Sequence, residues 1–273
     1  MSTCNESQAS SLDGRVVFVT GATGILGRRY VDAALEAGAK VVVADIDSAA
    51  VECMVAEGTR SGDRTLGVGL DVTDPDSVEA ATRTAIARFG RIDVLLNNAA
   101  GKGEDLKAFF QPTVQYDLEV WRRIMAINID GQFLMARSVG PHMIAAGRGS
   151  IINVSSIYGC VGPDQSIYEG AEYMGVQINT PLVYSVSKSA VHGLTRHLAT
   201  EWGQYGVRAN TLTPGGVESG QNDVFVSRYS KRTPLGRMAR GQEMIGAMLF
   251  LATDASSYVT GQNIIVDGGW TAW

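Results

Sequence analysis

Residues 15 to 27 restrict the possible folds more than any other stretch. Arg15 to Thr20 (RVVFVT) is a short apolar, β-branched run. It gives way at once to Gly21-Ala-Thr-Gly-Ile-Leu-Gly27 and then to an amphipathic stretch from Arg28 to Ala37. The order is strand, glycine turn, helix. Gly21 lets the backbone turn tightly, Gly24 lets it approach a pyrophosphate, and Gly27 lets the helix pack close to the sheet, with the helix N-terminus facing the phosphates. A glycine-rich loop alone is often only a tight turn. Here a second strand, Lys40 to Ala44, ends in Asp45, 24 residues after Gly21, close to the roughly 20-residue offset of a ribose-binding acid.

Together these features predict a dinucleotide site. A carboxylate at position 45 accepts hydrogen bonds from free ribose hydroxyls and repels a 2′-phosphate, and no arginine stands in the glycine turn to offset that repulsion. The expected cofactor is therefore NAD rather than NADP. The competing reading is that Asp45 or Asp47 caps the following helix.

Strand and helix signals alternate along the rest of the chain. Thr65 to Leu70, Ile92 to Leu96, Ser150 to Val154, Val207 to Leu212 and Asn263 to Val266 read as strands. Between them lie a helix opened by Asp74-Pro75, a long helical region from about Asp117 to Ala146, a helix carrying Tyr184 and Lys188, and another near Gln242 to Leu251. This alternation implies an α/β fold: a Rossmann-like, doubly wound parallel sheet with helices on both faces, three layers in all. Ligands bind such sheets beyond the carboxyl ends of the strands. Asp45, Asp71, Asn98, Ser156 and Pro214 all follow strand-like runs, so they should gather along one edge. No linker divides the chain, and the expected organisation is a flexible tail over 1–11 and a single domain over 12–273.

Charge and cysteine usage exclude several function classes. The formal net charge is -5 and the basic residues are scattered, which leaves no electrostatic footprint for nucleic acid. No apolar run approaches the roughly 18 residues that suggest a membrane span, and Met1 to Ser11 lacks the apolar core of a signal peptide. These features predict a soluble, cytoplasmic chain. Cys4, Cys53 and Cys160 are an odd number at no metal-like spacing, and His192 and His197, five apart on a helix, point about 140° away from each other. No metal site is expected. Cys160 reads as a buried structural thiol, since no histidine is near it in sequence.

The chemical centre is Tyr184-Ser-Val-Ser-Lys188. A tyrosine and a lysine four apart share a helix face, so an ammonium can sit beside a phenol. Free tyrosine has a pKa of about 10, and lowering it by roughly 3 units takes about 4 kcal/mol of preference for the phenolate. On its own this spacing also suits a packed tyrosine and a snorkelling lysine.

Read jointly, the motifs resemble those of the short-chain dehydrogenase/reductase family in its compact form. TGATGILG, Asp71-Val72, NNAA, Asn128, NVSS, YSVSK, TPGGV and a closing VDGG stand in family order across about Leu12 to Trp270. The resemblance implies a catalytic tetrad of Ser156, Tyr184, Lys188 and Asn128. It places the cofactor on Gly21, Thr23, Gly24, Ile25, Leu26 and Gly27, with Asp45 and Ile46 at the ribose and Asp71 and Val72 at the adenine. Asn98 and Ala99 would line the central cleft, while Tyr184, Lys188, Pro214 and Val217 complete the set, Val217 holding the nicotinamide amide through its backbone. It also implies a homotetramer, contributed by Tyr258-Val-Thr-Gly-Gln-Asn and the last strand, and a mobile lid over residues 216–236.

The implied reaction interconverts a secondary alcohol and a ketone. To remove hydride from an alcohol carbon, a base must stand within about 3 Å of the hydroxyl oxygen while the nicotinamide faces the carbon. Tyr184 is the expected base, Ser156 fixes the oxygen, Lys188 holds the phenolate and the ribose, and Asn128 supports a water through which the proton leaves. Alternatives are a carbonyl or 3-ketoacyl reductase, a sugar-nucleotide epimerase or dehydratase, suggested by the TGxxGxxG spacing, and a non-catalytic NAD-binding protein.

Two further departures from the family pattern stand out: NNAA in place of NNAG, and a long run between Ser156 and Tyr184. Asp164, Gln165, Glu169, Glu172, Gln177 and Asn179 in that run suggest a polyol or sugar-like substrate. Arg232 and Arg237 could meet an anionic substrate, although such arginines more often pair with the protein's own carboxylates.

Overall fold

The computed structural model describes residues 11–57, 62–103 and 105–273; Cys4 and most of the expected tail lie outside them. The first strand, β1 (Val16–Thr20), is buried along its whole length. Its alternate side chains serve opposite layers. Val17 and Val19 pack with Tyr30, Val31 and Met248 on one face, while Val16 and Phe18 pack with Val78, Met135 and Val139 on the other. A strand apolar on both faces must be covered on both faces, so helices flank the sheet on each side.

The strands that follow are β2 (Lys40–Asp45), β3 (Thr65–Gly69), β4 (Val94–Asn97) and β5 (Gly149–Val154), then a hairpin of two-residue strands, β6 (Glu172–Tyr173) and β7 (Val176–Gln177), and finally β8 (Val207–Pro214) and β9 (Asn263–Val266). All but the hairpin join β1 in a seven-stranded parallel sheet of order β3-β2-β1-β4-β5-β8-β9. The chain moves outward one way from β1 to β3 and the other way from β4 to β9. The crevice at the carboxyl ends of β1 and β4 is therefore the point where the winding reverses.

On the first face lie α1 (Ile25–Glu36) and α2 (Ser48–Ala56). On the second lie α3 (Pro75–Phe89), opened by the Asp74 cap and Pro75, and the helices that follow β4. Those are the short α4 (Leu106–Phe109), α5 (Leu118–Met125), α6 (Gly131–Ala145) and α7 (Leu182–Trp202). Two more complete the set: α8 (Asp223–Arg232), and α9 (Ile245–Ala252), which returns to the first face.

Several boundaries differ from the sequence reading by a few residues, and three differences have a local reason. Helix α1 starts at Ile25 rather than Arg28, because Gly24 takes the extended N-cap conformation. The helical region from Asp117 to Ala146 is interrupted at Ala126–Asp130 by a π-turn, which admits one extra residue between α5 and α6. The run between Ser156 and Tyr184, to which the sequence assigned no element, contains a 3₁₀ turn at Gln165–Tyr168 and the β6–β7 hairpin.

Candidate active site

The glycine turn has the backbone geometry that the sequence demands of it. Gly21 has φ +62°, in the left-handed region, and a Cβ there would stand 2.7 Å from the Ala99 Cα. A Cβ at Gly27 would lie 2.1 Å from the Gly21 carbonyl oxygen, so the helix can approach its own turn only without a side chain. No side chain caps α1 at Gly24. Its first-turn N–H groups are left to meet an anion in the cleft.

That cleft, of about 570 Å³, runs along the carboxyl edge of the sheet. It is lined by Gly21, Thr23, Gly24, Ile25, Leu26, Asp45, Ile46, Asp71, Val72, Asn98, Ala99, Ser156, Tyr184, Lys188, Pro214 and Val217. Of the residues expected around the cofactor, Gly27 stands behind the turn, buried. Ala100, the departure from NNAG, also lines the cleft, and Gly101 follows it.

The two acids at the end of β2 separate cleanly. Asp47 is the cap of α2, accepting from the Ala50 N–H at 2.9 Å. Asp45 instead accepts from the N–H and hydroxyl of Thr23, at 3.0 and 2.7 Å, and thereby ties the end of β2 to the glycine turn. Asn98 fastens the other side of the crevice: its Nδ2 donates to the carbonyls of Thr20 and Gly21 at 3.1 and 2.9 Å. Asp71 accepts from the N–H and hydroxyl of Thr73, at 2.8 and 2.7 Å, which fixes the turn after β3.

At the far end of the cleft, α7 carries Tyr184 and Lys188 on one face. Lys188 is 3% exposed, and its ammonium donates to the Val154 carbonyl at 3.1 Å and lies 5.9 Å from the centre of the Tyr184 ring. Burial pushes the Lys188 pKa down to about 8. Burial also pushes the Tyr184 pKa up, and the hydrogen bond from Ser156 opposes that rise. Desolvation is the larger effect, and the ammonium is held by a backbone carbonyl rather than by the phenol oxygen.

Ser156 sits at the end of β5, where its Oγ accepts from the Tyr158 N–H at 3.3 Å and caps a 3₁₀ turn. Asn128 lies inside the π-turn and is fully buried. Its Oδ1 accepts from the Gly101 N–H at 3.0 Å and its Nδ2 donates to Ser187 Oγ at 3.1 Å. Both ends of its side chain thus brace the loop after β4 against α7. Val217 lines the cleft, and its carbonyl accepts from Gln221 Nε2 at 3.0 Å.

A second pocket, of about 270 Å³, opens from Ser156 and Tyr184 on the side away from the glycine turn. Its walls are Phe109 and Phe110 of the α4 region, Tyr158, Tyr168 and Tyr173 of the long run, and Phe225 of α8. Of the six polar residues expected to face a substrate there, Asn179 alone lines it. Asp164 pairs with Arg232 at 2.5 Å and caps the turn at Gln165. Gln165 clamps the Thr180 backbone, donating to its carbonyl at 2.8 Å and accepting from its N–H at 3.2 Å. Glu169 lies 4.0 Å from Arg228, while Glu172 and Gln177 are exposed on the hairpin.

Neither expected arginine is free for a substrate: Arg232 faces Asp164, and Arg237 holds Glu243 through two contacts of 2.7 and 2.6 Å. Cys160 is exposed rather than buried, because it follows the 3₁₀ turn at the surface, and α7 brings His192 Nε2 to 3.6 Å from its sulfur. Sequence reasoning missed Lys102, Phe109 and Phe110, which lie in a segment without a motif.

A family model described as Enoyl-(Acyl carrier protein) reductase matches residues 21–271. The chain belongs to the short-chain dehydrogenase/reductase family. The chain is 36% identical to D-threitol dehydrogenase of Mycolicibacterium smegmatis over 267 residues, covering 95% of this chain and 94% of that one. It is 39% identical to cis-4-hydroxycyclohexanecarboxylate dehydrogenase of Sinomonas cyclohexanicum over 263 residues, covering 94% and 97%. Among solved structures, a gluconate 5-dehydrogenase from Burkholderia cenocepacia in complex with NADP and tartrate superimposes with a TM-score of 0.84 at 31% identity, covering 98% of this chain and 100% of that one. As a short-chain dehydrogenase/reductase, the protein is an oxidoreductase acting on CH–OH groups.

Proposed function

We propose that the protein is an NAD-dependent dehydrogenase that interconverts a secondary alcohol and a ketone by hydride transfer, with Tyr184 as general base and acid. The observation that carries this reading is the meeting of the two pockets at Ser156 and Tyr184. One pocket begins at a glycine turn and an uncapped helix suited to a pyrophosphate, and the other is closed by aromatic side chains. When bound, the nicotinamide supplies the hydride acceptor.

The chain's own groups do the rest. Ser156 and Tyr184 converge on the alcohol oxygen, and Tyr184 takes its proton. Lys188, beside the phenol on the same helix face, favours the phenolate and is positioned for the ribose hydroxyls. Asn128 is a positioning residue: it holds Gly101 and Ser187, and so the gap between the β4 loop and α7, where a water would relay the proton. Gly27, Thr23 and Asn98 preserve the shape of the phosphate turn, and the segment 216–236, with α8, forms the lid. NAD is favoured over NADP by Asp45, whose carboxylate at the end of β2 would face a 2′-phosphate.

Aromatic walls around a pocket of this size suit a ring-bearing alcohol better than an open-chain polyol. The polyol reading is the runner-up, supported by the similarity to the threitol enzyme. A homotetramer belongs to the same proposal, with Phe133 on α6 and Val186 on α7 supplying exposed apolar surface. So does a cytoplasmic location; among the described residues no helix is long and apolar enough to cross a membrane.

A coupled assay over cyclic alcohols, polyols and apolar secondary alcohols, run with both cofactors on the parent enzyme and on Asp45→Ala, tests this reading. We expect cyclic alcohols to be oxidised with NAD, and the substitution to erode the preference for NAD by about tenfold or more, the effect of losing one charge-assisted hydrogen bond. Unchanged discrimination in Asp45→Ala would remove that residue from cofactor selection. Polyols outpacing every cyclic alcohol would decide for the runner-up.

A further inference from the structure

The substrate pocket contains one cation whose counter-ion the chain does not provide among the described residues. Lys102 stands in the loop after β4, next to Gly101, whose N–H is held by Asn128. Its ammonium lies 4.5 Å from the centre of the Tyr173 ring, on the β6–β7 hairpin, and the residue lines the pocket that opens from Ser156 and Tyr184. The residue is exposed, yet enough protein surrounds the ammonium to push its pKa down. The arginines nearby differ. Arg228, Arg232 and Arg237 each face a carboxylate of the chain, namely Glu169, Asp164 and Glu243.

Asn179 lines this pocket and the one beside it. Asn179 donates through Nδ2 to the Phe110 carbonyl at 2.6 Å, which fixes the orientation of its amide, and this leaves its Oδ1 buried without a hydrogen-bond partner. A cation without a counter-ion on an aromatic-walled pocket calls for a ligand that brings a negative charge.

We propose that Lys102 is the anion-binding residue of the substrate pocket and that the substrate is a small, ring-sized secondary alcohol bearing a carboxylate. The inference rests on the reading of this pocket as the substrate side of the dehydrogenase site. Its volume of about 270 Å³ falls just below the roughly 300–1,000 Å³ of drug-sized sites, so a single ring with one appended group is the size it takes. The ring packs against the aromatic walls, its hydroxyl reaches Ser156 and Tyr184, and its carboxylate meets the ammonium of Lys102.

Calorimetric titration of the purified enzyme separates this proposal from the catalytic one. Cyclohexanecarboxylate and its neutral isostere cyclohexanecarboxamide serve as non-reacting probes, on the parent enzyme, Lys102→Met and Lys102→Arg. We expect the carboxylate to bind the parent about 10- to 100-fold tighter than the amide, the range for a hydrogen bond to a charged group. Lys102→Met should abolish that ratio, and Lys102→Arg should keep most of it. A ratio near one in the parent, no binding of the carboxylate, or an undiminished ratio in Lys102→Met would overturn the proposal. Carboxylate binding lost with Lys102 in an enzyme that oxidises no alcohol would instead refute the dehydrogenase reading while leaving the anion site in place.

Discussion

Tyr184→Phe lowers turnover by about 10²- to 10⁴-fold, the range for loss of a positioned general acid or base, while cofactor binding is retained. Tyr184 is the residue of α7 that lines both pockets, and phenylalanine keeps its ring there. Burial holds this phenol's pKa up, so it is protonated at neutral pH. Alcohol oxidation needs the phenolate and should therefore climb as pH rises, whereas ketone reduction uses the phenol as acid and should fall over the same range. Ser156 stabilises the phenolate by its hydrogen bond. Removing that bond in Ser156→Ala should move the oxidation limb to higher pH. Profiles of kcat/KM against pH in both directions, with cofactor affinity measured separately by fluorescence, check the prediction. Residual turnover of Tyr184→Phe within a few-fold of the parent would assign the base elsewhere.

The sequence disclosed what depends on backbone need and on period. Gly21, Gly24 and Gly27 announced the tight turn between β1 and α1, because only glycine tolerates the positive φ at position 21 and the contact at position 27. Runs such as VVFVT and KVVVAD announced a sheet buried on both faces. The offset from Gly21 pointed to Asp45, but which of Asp45 and Asp47 caps the next helix was not legible from spacing. It is settled by where the next helix starts, since Asp47 has Ala50 three residues on to cap and Asp45 has Thr23 across the sheet.

The long run after Ser156 was the least legible part, and the reason is physical. Polar residues in a folded insertion satisfy one another or the backbone before they satisfy a ligand. Asp164 and Gln165 are used in that way. What the run presents to the pocket is instead its aromatic set, locked by the Tyr168 and Tyr158 hydroxyls at 3.1 Å and by stacking of Tyr168 on Phe225 at 5.2 Å. Nothing in the order of residues 160–183 marks which side chains turn inward. The π-turn at Asn128 was hidden for a different reason: its five residues are too few to show a period of their own between two helical segments.

Lys188→Met is the second change with a large expected effect, and it should act oppositely on activity and stability. Methionine has similar length and no charge, so it leaves the buried site filled but cannot favour the phenolate of Tyr184 or reach ribose hydroxyls. Turnover should fall at least as far as in Tyr184→Phe. Stability of the cofactor-free enzyme should rise. The folded-state pKa of Lys188 is pushed down from 10.5 to about 8, so the unfolded chain binds this proton more tightly than the folded one. The resulting penalty is fully present below pH 8 and fades as pH climbs toward the unfolded value near 10.5. At 1.36 kcal/mol per unit it amounts to about 3 kcal/mol. Part of the gain is offset, because the substituted side chain would leave the Val154 carbonyl without its donor. Chemical denaturation at about pH 7 and about pH 10 checks the sign: the variant should be the more stable at the lower pH, and its advantage should shrink at the higher one. An advantage that stayed constant or grew with pH would mean that Lys188 is not a desolvated cation in the free enzyme. Retaining a lysine that weakens the empty site is understandable if its charge is compensated when the phenol ionises. The desolvation that depresses Lys188 is then the same condition that lets it stabilise a phenolate at short range.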